Sequence, residues 1–308
     1  MHFVPASIAG TNEIGYDQFF LNKFKNTKLF AMRRYVLCVM AVASSLLCNA
    51  QTIKTPAPSP PQTIKQDFGL SSIELSYSRP GVKNRKVFGD LVPYGKVWRT
   101  GANNATTISF EDDVAIGGTK VPAGKYGLLT IPDKDKWIII ITKQLDVTNP
   151  VAYKQESDVA RAEVKPVTLK DKVETFTMQF ANVTSSTCDL DMMWENTAVA
   201  VPITQDVESV VMKQIDEAMN KDNRPYFQAA MFYLNTGKDL NQAVAWFDKA
   251  IAQQPDGYWI YHQKANALAK LGKKDEAKAS AQKSIELAKE AKNDDYVRLN
   301  EKLLDQLK

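Results

Sequence analysis

The spacing of apolar residues changes once along this 308-residue chain, near residue 205, and that change divides what can fold on either side. Before it, apolar and polar residues alternate over short runs separated by turn residues. After it, apolar residues recur every three to four positions. A period of two suits strands with one covered face; a period near 3.6 suits helices with one covered stripe. The expected fold is therefore an all-β, sandwich-like domain over 62–204 followed by an all-α region over 205–308.

The β half is a series of short runs. Ile73-Glu74-Leu75-Ser76-Tyr77 alternates, and 106–110 and 126–131 are rich in β-branched or aromatic residues. The unbroken apolar run at 137–141 suits a strand covered on both faces. Within 173–180, Glu174, Phe176, Met178 and Phe180 form the set expected to face the core. Gly117-Gly118, Pro122-Ala123-Gly124 and Pro132-Asp133 supply turns, and short strands with frequent turns favour a sandwich.

The helical half repeats itself. Leu234 matches Leu268, Ala243 matches Ala277 and Ile251 matches Ile285, each at a separation of 34 residues. That is the tetratricopeptide period, in which two antiparallel helices form one unit. Gly237 and Gly272 mark the ends of the first helices. Residues 225–255 follow the repeat pattern well; 256–289 follow it less well, with Ala281 and Ser284 in place of larger or more typical residues. Two such units rarely stand alone, so helices at 206–220, behind Asp206 as N-cap, and at 293–307 are expected to cap them.

Ahead of both halves, 32–50 resembles a secretory signal peptide. Arg33 and Arg34 form a positive start, 35–47 is uncharged and mostly apolar but too short to span a bilayer, and Cys48-Asn49-Ala50 offers a cleavage site before Gln51. Residues 1–31 are then expected to be a mis-assigned upstream extension, and 51–61 a Pro-rich linker. The chain is expected to be exported, periplasmic or secreted, with no transmembrane span in the mature part. Lipid attachment at Cys48 is the weaker option, because Leu47 is not the small residue such signals place before the cysteine.

Charge and chemistry narrow the function. The first fifty residues carry five cations against two acids, leaving 34 basic and 33 acidic residues beyond them. No basic excess marks a nucleic-acid partner. The two histidines, His2 and His262, argue against Ser-His-Asp or Cys-His catalysis and leave no His/Cys cluster for zinc. No cofactor or metal is expected. Only Cys188 lies beyond Ala50, so no intrachain disulfide is expected there, and Cys188 is expected to be a buried thiol. Glu111-Asp112-Asp113 and the pair Asp189 and Asp191 bring acids together in sequence. A solvated turn and a solvent-facing strand face account for them better than hydrolysis or calcium binding.

One segment of the β half has a recognisable character. Tyr77-Ser78-Arg79-Pro80-Gly81-Val82-Lys83 is followed by Phe88-Gly89-Asp90-Leu91-Val92-Pro93-Tyr94-Gly95-Lys96-Val97-Trp98-Arg99-Thr100-Gly101-Ala102-Asn103. With Pro122-Ala123-Gly124-Lys125-Tyr126 and Trp194-Glu195-Asn196, these runs resemble a bacterial domain family of unknown function, numbered 2911, over about 62–204. The resemblance implies exported bacterial proteins, often with helical repeats after the domain, and implies no activity. This chain has Asn103-Asn104 where many members carry Asn-Glu, which weakens the case for a catalytic carboxylate there.

The expected function is a non-catalytic envelope protein whose helical repeats hold a protein or peptide partner, with Tyr226, Tyr233, Tyr258 and Trp259 as candidate contacts. The alternative is a β domain that binds a small ligand or glycan through Arg79, Tyr94, Trp98, Arg99 and Asn103, where guanidinium groups, aromatic rings and an amide concentrate in a loop. A structural corner is the favoured account of that loop, with Trp98 buried and Arg99 bonded to loop carbonyls. A carboxylate-based hydrolase is the remotest reading.

Overall fold

A computed structural model describes residues 55–308; the signal-like segment and the extension before it lie outside the described residues. Six antiparallel strands form one sheet in the order β1-β2-β3-β6-β7-β8. They are β1 (Pro61–Phe68), β2 (Ser71–Ser78), β3 (Thr107–Phe110), β6 (Gly124–Ile131), β7 (Trp137–Thr142) and β8 (Asp158–Val164). A second sheet has the order β5-β4-β10-β9, from β4 (Val114–Ile116), β5 (Thr119–Val121), β9 (Val167–Ala181) and β10 (Thr187–Thr204). Gly117 and Gly118 join β4 to β5 with φ of 56° and 81°, left-handed values suited to a two-residue hairpin turn.

The two sheets share one core, as a sandwich requires. Leu75, Ile108, Leu128 and Ile139 of the first sheet meet Phe176, Met178, Leu190, Met192 and Trp194 of the second. Phe176 and Met178 are buried and Phe180 packs against the same cluster, as their alternation predicts, but Glu174 of the same set is exposed and its carboxylate accepts from Lys83 N–H at 2.8 Å. Strand β7 is covered on both sides. Ile139 and Ile141 enter the main core, while Ile140 packs outward with Leu129 and Val147.

After β2 the chain leaves the first sheet and pairs with the second. Val82 N–H donates to Glu174 O at 2.7 Å, and Phe176 N–H donates to Pro80 O at 2.9 Å. It then returns, and Trp98 exchanges two backbone bonds with Thr130 of β6, at 2.7 and 3.0 Å. The 79–106 connection is thus tied to both sheets. Strand β10 is irregular where it faces this connection: its register against β9 shifts on both sides of Glu195, which has a φ of 54°.

Six helices follow among the described residues: α1 (Val207–Met219), α2 (Tyr226–Thr236), α3 (Leu240–Gln253), α4 (Tyr258–Lys270), α5 (Lys274–Glu290) and α6 (Asp294–Gln306). Asp206 caps α1 by accepting from Ser209 N–H at 3.1 Å. Gly237 closes α2 with φ of 69°, and Gly272 follows α4 with φ of 74°, where the spacing places helix ends. Ala230, Leu234, Ala243, Phe247, Ala250 and Ile260 form one core. Ala265, Leu268, Ala277 and Ala281 form the next, which Leu303 and Leu307 close from the last turns of the chain. Alanines at facing positions let the helices approach closely. Helix α1 buries Val207 and Ile215, and its Glu208 pairs with Lys238 beyond α2 at 2.6 Å. Among the described residues no helix is long and apolar enough to cross a membrane.

Candidate functional site

The 79–106 connection supplies most of the lining of a cavity of about 460 Å³. Trp98 and Arg99 line it, along with Arg85, Lys96, Val92 and, from β10, Trp194. The indole rings of Trp98 and Trp194 stack with centroids 5.7 Å apart and planes 16° from parallel. Phe88 and Phe176, which do not line the cavity, meet them at steeper angles, so this aromatic wall is backed by rings from the connection and from the second sheet.

The loop holds this shape by bonds to itself and to β6. Trp98 Nε1 donates to Gly101 O at 3.0 Å. Thr100 has a φ of 56°, a costly conformation for a β-branched residue. It is fully buried, its hydroxyl bonds to Thr130 Oγ1 at 3.1 Å, and its carbonyl accepts from Thr106 Oγ1 at 2.7 Å. Gly101 lets the loop pass the β2 backbone: a Cβ there would lie 3.0 Å from Ser78 O.

Of the five residues singled out from the sequence, the fold brings Trp98 and Arg99 to this cavity and takes the other three elsewhere. Arg79 ties the sheets together, its Nε donating to Phe176 O at 3.1 Å and its Nη2 to Thr177 Oγ1 at 2.8 Å. Tyr94 lies in a different depression with Phe88 and Trp137. Asn103 is exposed, takes the left-handed φ of 57° that asparagine tolerates, and donates to Ser59 O at 3.2 Å. Arg99 follows the scaffold expectation in part, since its Nη1 donates to Thr148 O. Its Nε, however, is buried without an acceptor among the described residues, as is Trp194 Nε1. Arg85, Lys96 and Trp194 were not singled out as site residues. Trp194 stood among the family-like runs, but nothing in its neighbourhood said that it would face a residue 96 positions earlier.

The acidic groups are dispersed by their partners. Glu111 pairs with Lys65 at 3.2 Å, Asp113 pairs with Lys120 at 2.8 Å, and Asp112 accepts from Gln205 Nε2 at 3.1 Å. Hydrogen bonding from Ser72 and then Lys65 lowers the Glu111 pKa, and Lys120 lowers that of Asp113. Such acids are poor proton donors near neutrality. Asp189 and Asp191 accept from the amides of Asn182 and Gln179, at 2.8 and 3.4 Å. Burial is the main cause that raises the Asp191 pKa.

Cys188 is 2 % exposed, and burial, helped by the adjacent Asp189, pushes its thiol up to about 11. Near neutral pH it stays protonated and shielded. Iodoacetamide in mildly alkaline buffer is expected to leave Cys188 unmodified in the native protein and to label it fully in guanidinium, as read by peptide mass spectrometry. Native labelling at the rate of a free thiol would contradict this placement.

In the helical half, the four aromatic candidates contribute to packing. Tyr226, Tyr233 and Trp259 flank the first helical core, with Tyr233 against Trp246 at 4.8 Å between ring centroids. Tyr258 contacts Trp259 and Tyr296, and its hydroxyl accepts from Asn293 Nδ2 at 2.9 Å. A separate groove of about 590 Å³ is lined by α2, α4, α6 and the start of α5, with Asn235, Gln263, Asn266, Lys270, Lys274 and Gln306 as its polar residues.

Residues 59–203 match the family model described as "Protein of unknown function (DUF2911)", and residues 246–279 match a tetratricopeptide repeat model. The second match straddles the two units, from within α3 to within α5. No curated protein and no solved structure matches the chain.

Proposed function

We propose that this chain, whose residues 59–203 form a domain of that unknown-function family, is an exported, non-catalytic envelope protein that holds a segment of a protein partner in its helical repeats. The observation that carries this reading is the tetratricopeptide match, together with a groove lined by α2, α4, α6 and the start of α5. Stacked helix pairs offer concave surfaces suited to extended or helical segments of other proteins. The polar residues of the groove are amides and lysines, which favours a partner segment rich in acceptors or negative charge. Export rests on the Arg33-Arg34 start and the apolar run behind it.

The test combines location with capture. N-terminal sequencing of protein from the envelope fraction is expected to read from near Gln51. That protein, immobilised, is expected to retain a discrete partner from envelope extract, and Gln263→Glu with Lys270→Glu is expected to release it by reversing the groove's charge. An intact chain found in the cytoplasm would contradict export. Equal capture by the parent and the charge-reversed variant would contradict the groove.

A further inference from the structure

The cavity of the β domain makes a demand that the repeats do not meet. Its lining carries three cations, Arg85, Lys96 and Arg99, and no carboxylate. None of the three forms an ion pair among the described residues. Arg85 bonds only to carbonyls, with Nε donating to Val82 O at 3.0 Å and Nη2 to Gly81 O at 2.7 Å, which position it without neutralising it. Positive charge beside apolar walls, left without a counter-charge, attracts an anion.

Two further donors point to the same chemistry. Arg99 Nε and Trp194 Nε1 belong to lining residues, are buried, and have no acceptor among the described residues. Buried N–H groups are normally paired, and each one left unpaired is costly. Apart from Ser59, Thr148 and Asn149 the remaining wall is apolar, with Trp98 stacked on Trp194 beside Val92 and Val97. A volume of about 460 Å³ suits a small molecule.

We propose that this cavity binds a small organic carboxylate with an apolar body. The carboxylate accepts from Arg99 and Trp194 in the field of Arg85 and Lys96, and the apolar body lies along the aromatic wall. Guanidinium favours carboxylate because two parallel N–H groups meet two oxygens. This site is independent of the repeat groove, so the charge-reversed groove variant is expected to bind as the parent does.

Indole N–H resonances of the full chain, recorded by ¹⁵N-correlated NMR and assigned with Trp194→Phe and Trp98→Phe, provide the test. Phenylacetate, hexanoate and benzoate serve as carboxylate probes, and phenylacetamide as the neutral control. At least one carboxylate is expected to shift the Trp194 resonance saturably at millimolar or lower concentration, with the amide at least about tenfold weaker. Arg99→Lys and, separately, the exposed Lys96→Ala are each expected to weaken binding several-fold with an unchanged melting temperature. Lys96→Ala keeps the test valid if Arg99→Lys disturbs the loop. Equal affinity for phenylacetate and phenylacetamide would overturn the proposal. So would the absence of any Trp194 shift with all three carboxylates. A shift produced only by a peptide with a free C-terminal carboxylate would assign the cavity to a protein partner and would overturn it as well.

Discussion

Replacing Phe176 with alanine is expected to remove about 3–5 kcal/mol from the stability of the β domain, the range for deleting a buried phenylalanine from a packed core. Phe176 is 1 % exposed and belongs to the core that the two sheets share. Its ring meets Tyr77 edge-on at 5.8 Å and lies 5.1 Å from Trp98 and 5.6 Å from Trp194. Both tryptophans are anchored in the backbone of opposite sheets, so they cannot collapse into the space without dragging strands with them. The residual void adds to the lost transfer energy. Urea denaturation followed by tryptophan fluorescence measures the loss. A change below about 1 kcal/mol would mean that the wall repacks, and that the cavity beside it is softer than its stacked rings imply.

Replacing Asn300 with leucine is expected to cost about 3 kcal/mol in the helical half, because it breaks a buried chain of polar groups. Asn300 and Ser284 are fully buried and His262 nearly so. Asn266 Nδ2 donates to His262 Nε2 at 3.1 Å, which places the imidazole proton on Nδ1, and this donates to Asn300 Oδ1 at 2.8 Å. Asn300 Nδ2 in turn donates to Ser284 Oγ at 2.8 Å and Tyr296 O at 2.7 Å, and Ser284 Oγ donates to Tyr258 O at 2.7 Å. Leucine fills a similar volume but leaves the His262 Nδ1–H without its acceptor and deprives Ser284 of its donor. Thermal unfolding followed at the helical circular dichroism band checks this. Stability within about 0.5 kcal/mol of the parent would show that the network relaxes onto other partners or onto water. The Phe176 and Asn300 sites share no partners, so the double variant is expected to lose the sum of the two effects.

This network accounts for a feature that the repeat pattern left unexplained. Ser284 departs from the residues usual at its place in the second unit, which made 256–289 the weaker match. The serine is needed to accept from Asn300 of α6 and to bond Tyr258 O. The departure is the point at which the last helix is keyed to the repeats. His262, one of two histidines in the chain, serves the same attachment.

Local periodicity by itself determined the kinds of element, the division near residue 205 and the inward faces of several of them. Phe176 and Met178 on β9, and Ala243, Phe247 and Ala250 on α3, each face inward because side chains two, or three to four, residues apart share a surface. Strand β1 was less legible: at the edge of its sheet it buries only Phe68, and polar residues on both faces erase the alternation. Tertiary structure alone decided which loop residues form a site. Arg79, Tyr94, Trp98, Arg99 and Asn103 are close in sequence, yet a connection tied to both sheets turns each one by its own backbone angles. Only two of them reach the cavity. Trp194 reaches it from β10 because the shifts in register around Glu195 re-aim that strand, and pairing register between distant strands leaves no mark in the sequence near either one.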